Sequence, residues 1–148
     1  MKLNRSLHIA RIHDQVKKRQ KTLRLFRKMK KTLIIGASTN PSRYSYKAAH
    51  KLKNNGHEIV PLGVKKGSVA GEKILNQIPE KITDIDTVTL YINPKIQEGY
   101  TDYILSLRPK RVIFNPGTEN SDLQKKLSQK GIAFEESCTL VLLANGLY

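Results

Sequence analysis

An apolar strand running directly into a glycine and then a helix start constrains this chain more than any other feature: Lys31-Thr32-Leu33-Ile34-Ile35-Gly36-Ala37-Ser38-Thr39-Asn40-Pro41-Ser42-Arg43. A glycine at the end of a buried strand lets backbone approach whatever sits beyond it. The unpaired N–H groups of the next helix's first turn point at the same place. That order builds a seat for a phosphate, with Gly36, Ala37 and Ser38 at its base and Arg43 as a cation beside it. Lys47 follows Arg43 by four residues and shares its helix flank. A plain strand-to-helix turn with a solvated arginine contains the same residues, so the rest of the chain has to decide.

Beyond Lys31, strand and helix patterns alternate at short intervals. Residues 32–35 read as a buried parallel strand. Residues 41–55 read as a helix with Asn40 as N-cap, Pro41 at its first position and Gly56 as its stop. A second strand is expected over 58–62, followed by a long connection over 63–84 that contains Gly63, Gly67, Gly71 and Pro79 and has room for a short helical or strand piece. Strands at 87–92, 111–114 and 132–135 then alternate with helices at 95–107 and 119–129, and a terminal helix starts at 139. Five strands separated by helices imply an α/β fold: a Rossmann-like open parallel five-stranded sheet with helices on both faces. Ligands of such sheets sit beyond the carboxyl ends of the strands, which singles out the loops after each strand.

The 148 residues are enough for one core, and their formal charge of +15 is unevenly spread. Residues 1–30 hold eleven Lys/Arg against Asp14 alone, a net of +10; the other 118 residues hold 16 basic and 11 acidic residues, a net of +5. Residues 1–29 therefore read as a basic extension, disordered or a frayed helix, preceding one domain over 30–148. Met29 lies directly before the first strand, and residues 1–28 are equally read as an extension from an upstream start. A nucleic-acid arm is the sharper alternative, disfavoured because Phe26 is the one aromatic residue among these charges. No apolar run approaches the roughly twenty residues that cross a bilayer, so no membrane partner is expected. The single cysteine, Cys138, fits a reducing compartment, and a cytoplasmic location is the expectation.

Dinucleotide sites of the nicotinamide type show three spaced glycines after the first strand and an acid after the second. Neither is present here. The second strand leads instead into Gly63-Val64-Lys65-Lys66-Gly67, whose lysines suit an additional ribose phosphate and leave NADP and coenzyme A as candidates. Asn115-Pro116-Gly117 follows the fourth strand at the expected ligand edge, with a glycine for close approach and an amide that both donates and accepts. Tyr91-Ile92-Asn93-Pro94 stands in the same position after the third strand.

Taken together, Gly36-Ala37-Ser38-x-Asn40-Pro41-x-Arg43-x-Ser45-x-Lys47, the basic glycine loop, Tyr91-Ile92-Asn93-Pro94 and Asn115-Pro116-Gly117-Thr118 resemble the small stand-alone CoA-binding domain proteins. Their fold is similar to the N-terminal domain of the succinyl-CoA ligase alpha subunit. The resemblance covers about residues 30–148 and implies a coenzyme A site. In it Gly36, Ser38 and Arg43 meet phosphates, Val64, Lys65 and Lys66 lie by the adenosine, and Asn93, Pro94, Asn115, Pro116 and Gly117 border the groove. Relatives often have Asn-Pro after the second strand where this chain has Leu62-Gly63-Val64.

No nucleophile–base–orienter set is legible, and His8, His13, His50 and His57 share no ligand spacing with Cys138 or paired acids, so neither a catalytic nor a metal site is expected. The expected function is binding of coenzyme A or an acyl-CoA by a non-catalytic module. An NADP-dependent reductase and an acyl-transfer enzyme using Cys138 are the enzymatic alternatives. Self-association into a homo-oligomer stays open.

Overall fold

Leu33, Ile34 and Ile35 alternate sides along one strand, yet all three are buried, so apolar layers must cover both faces of the sheet they belong to. The computed structural model describes the backbone of residues 2–148 and the side chains of residues 4–22 and 29–148. After a long helix α1 (Lys2–Lys28), the domain runs β1 (Lys31–Ile35), α2 (Tyr44–Asn54), β2 (Glu58–Leu62), β3 (Ser68–Val69), β4 (Glu72–Lys73) and β5 (Thr87–Leu90). It continues through α3 (Pro94–Gln97), a 3-10 turn (Glu98–Tyr100), α4 (Thr101–Leu107), β6 (Arg111–Phe114), α5 (Ser121–Gln129), β7 (Ala133–Glu136) and α6 (Thr139–Ala144).

Five of these strands form one parallel sheet in the order β2-β1-β5-β6-β7, and β3 pairs with β4 as a small antiparallel ribbon. The register pairs Ile35 with Leu62 on one side and with Leu90 on the other, and Leu90 with Phe114. The chain leaves β1 toward β2, then returns past β1 to β5. Sequence order therefore reverses between β1 and β5, the position where open α/β sheets leave a crevice. Leu33, Ile35, Val88, Leu90, Val112 and Phe114 face Ile104 of α4 and Leu123 and Leu127 of α5. On the opposite face Ile34 and Ile59 pack with Ala49 and Leu52 of α2 and Leu143 of α6.

The Rossmann-like architecture is the expected one, the connection over 63–84 holds its strand piece as the β3/β4 ribbon, and two local expectations are corrected. Helix α2 begins at Tyr44, three residues after Pro41. The Asn40 side chain accepts from both the backbone N–H (3.0 Å) and the hydroxyl (2.8 Å) of Ser42, which makes a local turn and holds the chain out of the helix. The far end of α2 does stop at Gly56: its N–H bonds the Lys53 carbonyl and the His57 N–H that of Leu52, the paired bonds of a left-handed glycine stop. The helix expected over 95–107 is broken by the 3-10 turn containing Gly99.

No described helix is long and apolar enough to cross a membrane. Among the described residues, no group of three or more His, Cys, Asp or Glu is placed to hold a metal ion.

Candidate functional site

Close packing of three backbone segments shapes the carboxyl edge of the sheet. A Cβ on Gly36 would lie 2.9 Å from the Tyr91 carbonyl oxygen, and one on Gly63 would lie 2.3 Å from the Ala37 carbonyl oxygen. The loops after β1, β2 and β5 thus touch through glycines, so the close approach that Gly36 permits is to the loop after β5. The N–H groups of Gly36 and Ala37 both donate to the Leu62 carbonyl, at 2.9 and 3.0 Å, and are spent holding the β1 and β2 loops together.

Above this floor lies a cleft of about 450 Å³. One end is polar. Ser38, Thr39, Asn40, Arg43, Tyr44 and Ser45 line it where α2 starts, with Val64 and Lys65 on the β2 side. Arg43 occupies the N-cap position of α2 without a side-chain cap bond, so no cap covers the first-turn N–H groups. Ser45 is only 4% exposed, lines the cleft, and has no hydrogen-bond partner for its hydroxyl among the described residues. Its hydroxyl is open to the cleft and free to bond what enters it. The other end is formed by Tyr91, Ile92, Ile96, Tyr100, Pro116 and Thr118, a mostly apolar wall. Burial pushes the Tyr91 phenol up to about 12, and its hydroxyl is turned to Thr139 and Thr89.

Of the residues the sequence singled out, the cleft gathers Gly36, Ala37, Ser38, Arg43, Val64, Lys65 and Pro116. Six others lie outside its lining. The Lys47 ammonium sits 5.5 Å over the ring of Tyr44, beside the mouth, and Lys66 is exposed next to Lys65. Asn93 caps α3 by accepting from the Ile96 N–H at 3.0 Å, with Pro94 at the first helical position. Gly117 donates its N–H to the Glu119 carboxylate.

Asn115 departs furthest from expectation. It is 3% exposed, its two amide N–H groups are taken by Thr89 Oγ1 (2.7 Å) and the Leu90 carbonyl (2.9 Å), and its oxygen accepts from the Thr139 N–H at 2.9 Å. Its donors are therefore consumed in tying β5, β6 and α6 together, and none is left for a ligand amide.

Tyr44, Ile96, Tyr100 and Thr118 line the cleft without a sequence expectation. The four-residue spacing of Ile96 and Tyr100 is a usable signal, since it puts both on one helical flank. Beneath them the wholly buried Gln97 donates to the carbonyls of Ile92 (2.9 Å) and Thr118 (2.7 Å) and accepts from Asn120 (2.9 Å). Cys138, at the N-cap position of α6, is outside the lining.

Comparison with known proteins identifies the fold and the family. Among solved structures, that of an uncharacterized protein is 56% identical, with a TM-score of 0.79 covering 81% of this chain and 98% of that one. Cell-free ID.343 from Thermus thermophilus (20% identity, TM-score 0.73, covering 87% and 98%) shares the fold. So does a hypothetical protein from Pyrococcus horikoshii OT3 (23% identity, TM-score 0.73, covering 86% and 90%). No curated protein matches the chain at a significant level. The model of the CoA binding domain matches residues 30–144, the whole segment that builds the sheet and its cleft, and the chain belongs to that family.

Proposed function

We propose that the cleft binds coenzyme A or a short acyl-CoA and that the protein serves as a binding module for it. The reading rests on one observation: a single trough joins an uncapped helix N-terminus flanked by Arg43 and the unpartnered Ser45 hydroxyl to an apolar wall of Ile92, Ile96, Tyr100 and Pro116. The helix end and Arg43 suit the pyrophosphate, since oriented N–H groups and a guanidinium both favour an anion. Lys65 at the mouth suits the phosphate on the ribose. The apolar wall suits the pantetheine arm and a small acyl group on its sulfur.

Calorimetric titration of the protein with coenzyme A, NADP and ATP tests this. Coenzyme A is expected to bind most tightly, because it alone reaches both ends of the trough. No heat with millimolar coenzyme A, or equal affinity for all three, would overturn the reading.

A further inference from the structure

We propose that α1 is a second binding element, a basic helix that lies along the phosphate backbone of a double-stranded nucleic acid, independently of the cleft. Every side chain from Asn4 to Thr22 is exposed. In that span Arg5, Arg11, Lys17, Lys18, Arg19 and Lys21 oppose Asp14 alone, which sits 3.7 Å from Lys18.

The arrangement of charge around the helix selects the occupant. Arg5, Arg11 and Lys17 are six residues apart in succession, and at about 100° per residue they project about a third of a turn from one another. Cations therefore leave this helix over about two thirds of its circumference, and the remaining sector carries Ile9 and Val16. A membrane surface needs basic and apolar residues on opposite faces, and here Arg5 falls between Ile12 and Val16 on the apolar flank. A coiled coil needs apolar positions sustained over three or four heptads, whereas Ile9, Ile12, Val16, Leu23 and Phe26 keep that spacing for fewer and are interrupted by Arg19. Two such arms would also repel one another. A duplex groove admits an α-helix and flanks it with phosphates on both walls, so cations spread over most of its circumference find anions on either side.

The 27-residue helix is about 40 Å long, the length of about a dozen base pairs. A solitary helix without a dominant apolar stripe gains little from its own packing, and neutralising its charges is what a polyanion supplies. The scarcity of aromatic residues, which argues against stacking on single strands, is irrelevant to a duplex backbone.

Fluorescence anisotropy of a labelled mixed-sequence duplex, titrated with the full chain over a range of salt concentrations, tests the proposal. The logarithm of affinity is expected to fall with that of salt with a slope of about −4 to −5, since each neutralised phosphate adds about −0.9. The variant Arg11→Gln/Lys17→Gln/Lys18→Gln/Arg19→Gln keeps good helix formers. Its slope is expected to shrink to about −1, with a large loss of affinity and unchanged coenzyme A titration. A wild-type slope shallower than about −2, equal duplex binding by both proteins, or binding to phosphatidylserine vesicles but not to duplex would overturn it.

Discussion

The Gln97 side-chain amide donates to the Thr118 carbonyl at 2.7 Å, bridging the helix after β5 to the loop after β6 from beneath the cleft. The same amide holds the Ile92 carbonyl at 2.9 Å, and its oxygen accepts from Asn120, whose own oxygen caps α5 by accepting from Leu123 at 3.1 Å. One buried side chain thus sets the spacing of the apolar wall. Gln97→Leu leaves two carbonyls and an amide without partners, and should cost about 2–4 kcal/mol in a urea melt. The coenzyme A affinity of the folded fraction should fall with it, because Ile92 and Thr118 are no longer held apart at a fixed distance.

Glycines at the cleft floor and glycines at helix stops should respond differently to alanine. Gly56 has φ +83° and open space around its would-be Cβ, so Gly56→Ala should cost only the left-handed backbone strain, about 1–2 kcal/mol. Gly63→Ala drives a methyl group to 2.3 Å from the Ala37 carbonyl oxygen, and both partners are backbone. It should cost about 3 kcal/mol or more and displace the β1 loop. Paired denaturation curves compare the two.

Arg43 is exposed and makes no cap bond to α2. Arg43→Ala should therefore leave the unfolding midpoint unchanged while weakening coenzyme A binding by about 1.5–3 kcal/mol, the value of a direct charge-assisted hydrogen bond. Ser45→Ala should weaken it less. Calorimetry beside thermal melts separates the two effects.

At the opposite edge of the sheet, His57 Nδ1 accepts the Lys30 N–H at 3.1 Å and so must be unprotonated there. Burial, then the charges of Lys30 and Arg111, hold its pKa below the usual histidine value, with Asp86 opposing them. The unfolded chain takes up a proton below pH ~6.5 while the folded chain resists it, so stability should decline as the pH falls through that value and level off below the folded pKa. Melts between pH 8 and 5 should show the decline, and His57→Gln should flatten this window.

Strands were the most legible part of the fold. β2 and β6 have the bounds that their apolar runs suggest, because short segments buried on both faces admit little else. A short element between residues 63 and 84 was legible from its glycines, but its type and pairing as β3/β4 were not, since two-residue strands have no periodicity to read. The start of α2 was misread because Asn40-Pro41 has the composition of a helix start while the Asn40 side chain bonds Ser42 instead. In the site, Gly36 and Arg43 were visible from their place after an apolar strand. Asn115 was visible for the wrong role, since a sequence cannot tell an amide facing a ligand from one facing Thr89 and Thr139. Gln97 gave no signal at all, because a buried polar residue in a short helix looks like a solvated one until its partners are in place.

A crystal structure of the protein grown with coenzyme A tests the central claim most directly. The account predicts the pyrophosphate within hydrogen-bonding distance of the first turn of α2 and Ser38, with the pantetheine arm crossing β1 and β5 toward Pro116 and Thr118. Coenzyme A bound instead at the far edge of the sheet, against Lys30 and Arg111, would contradict it.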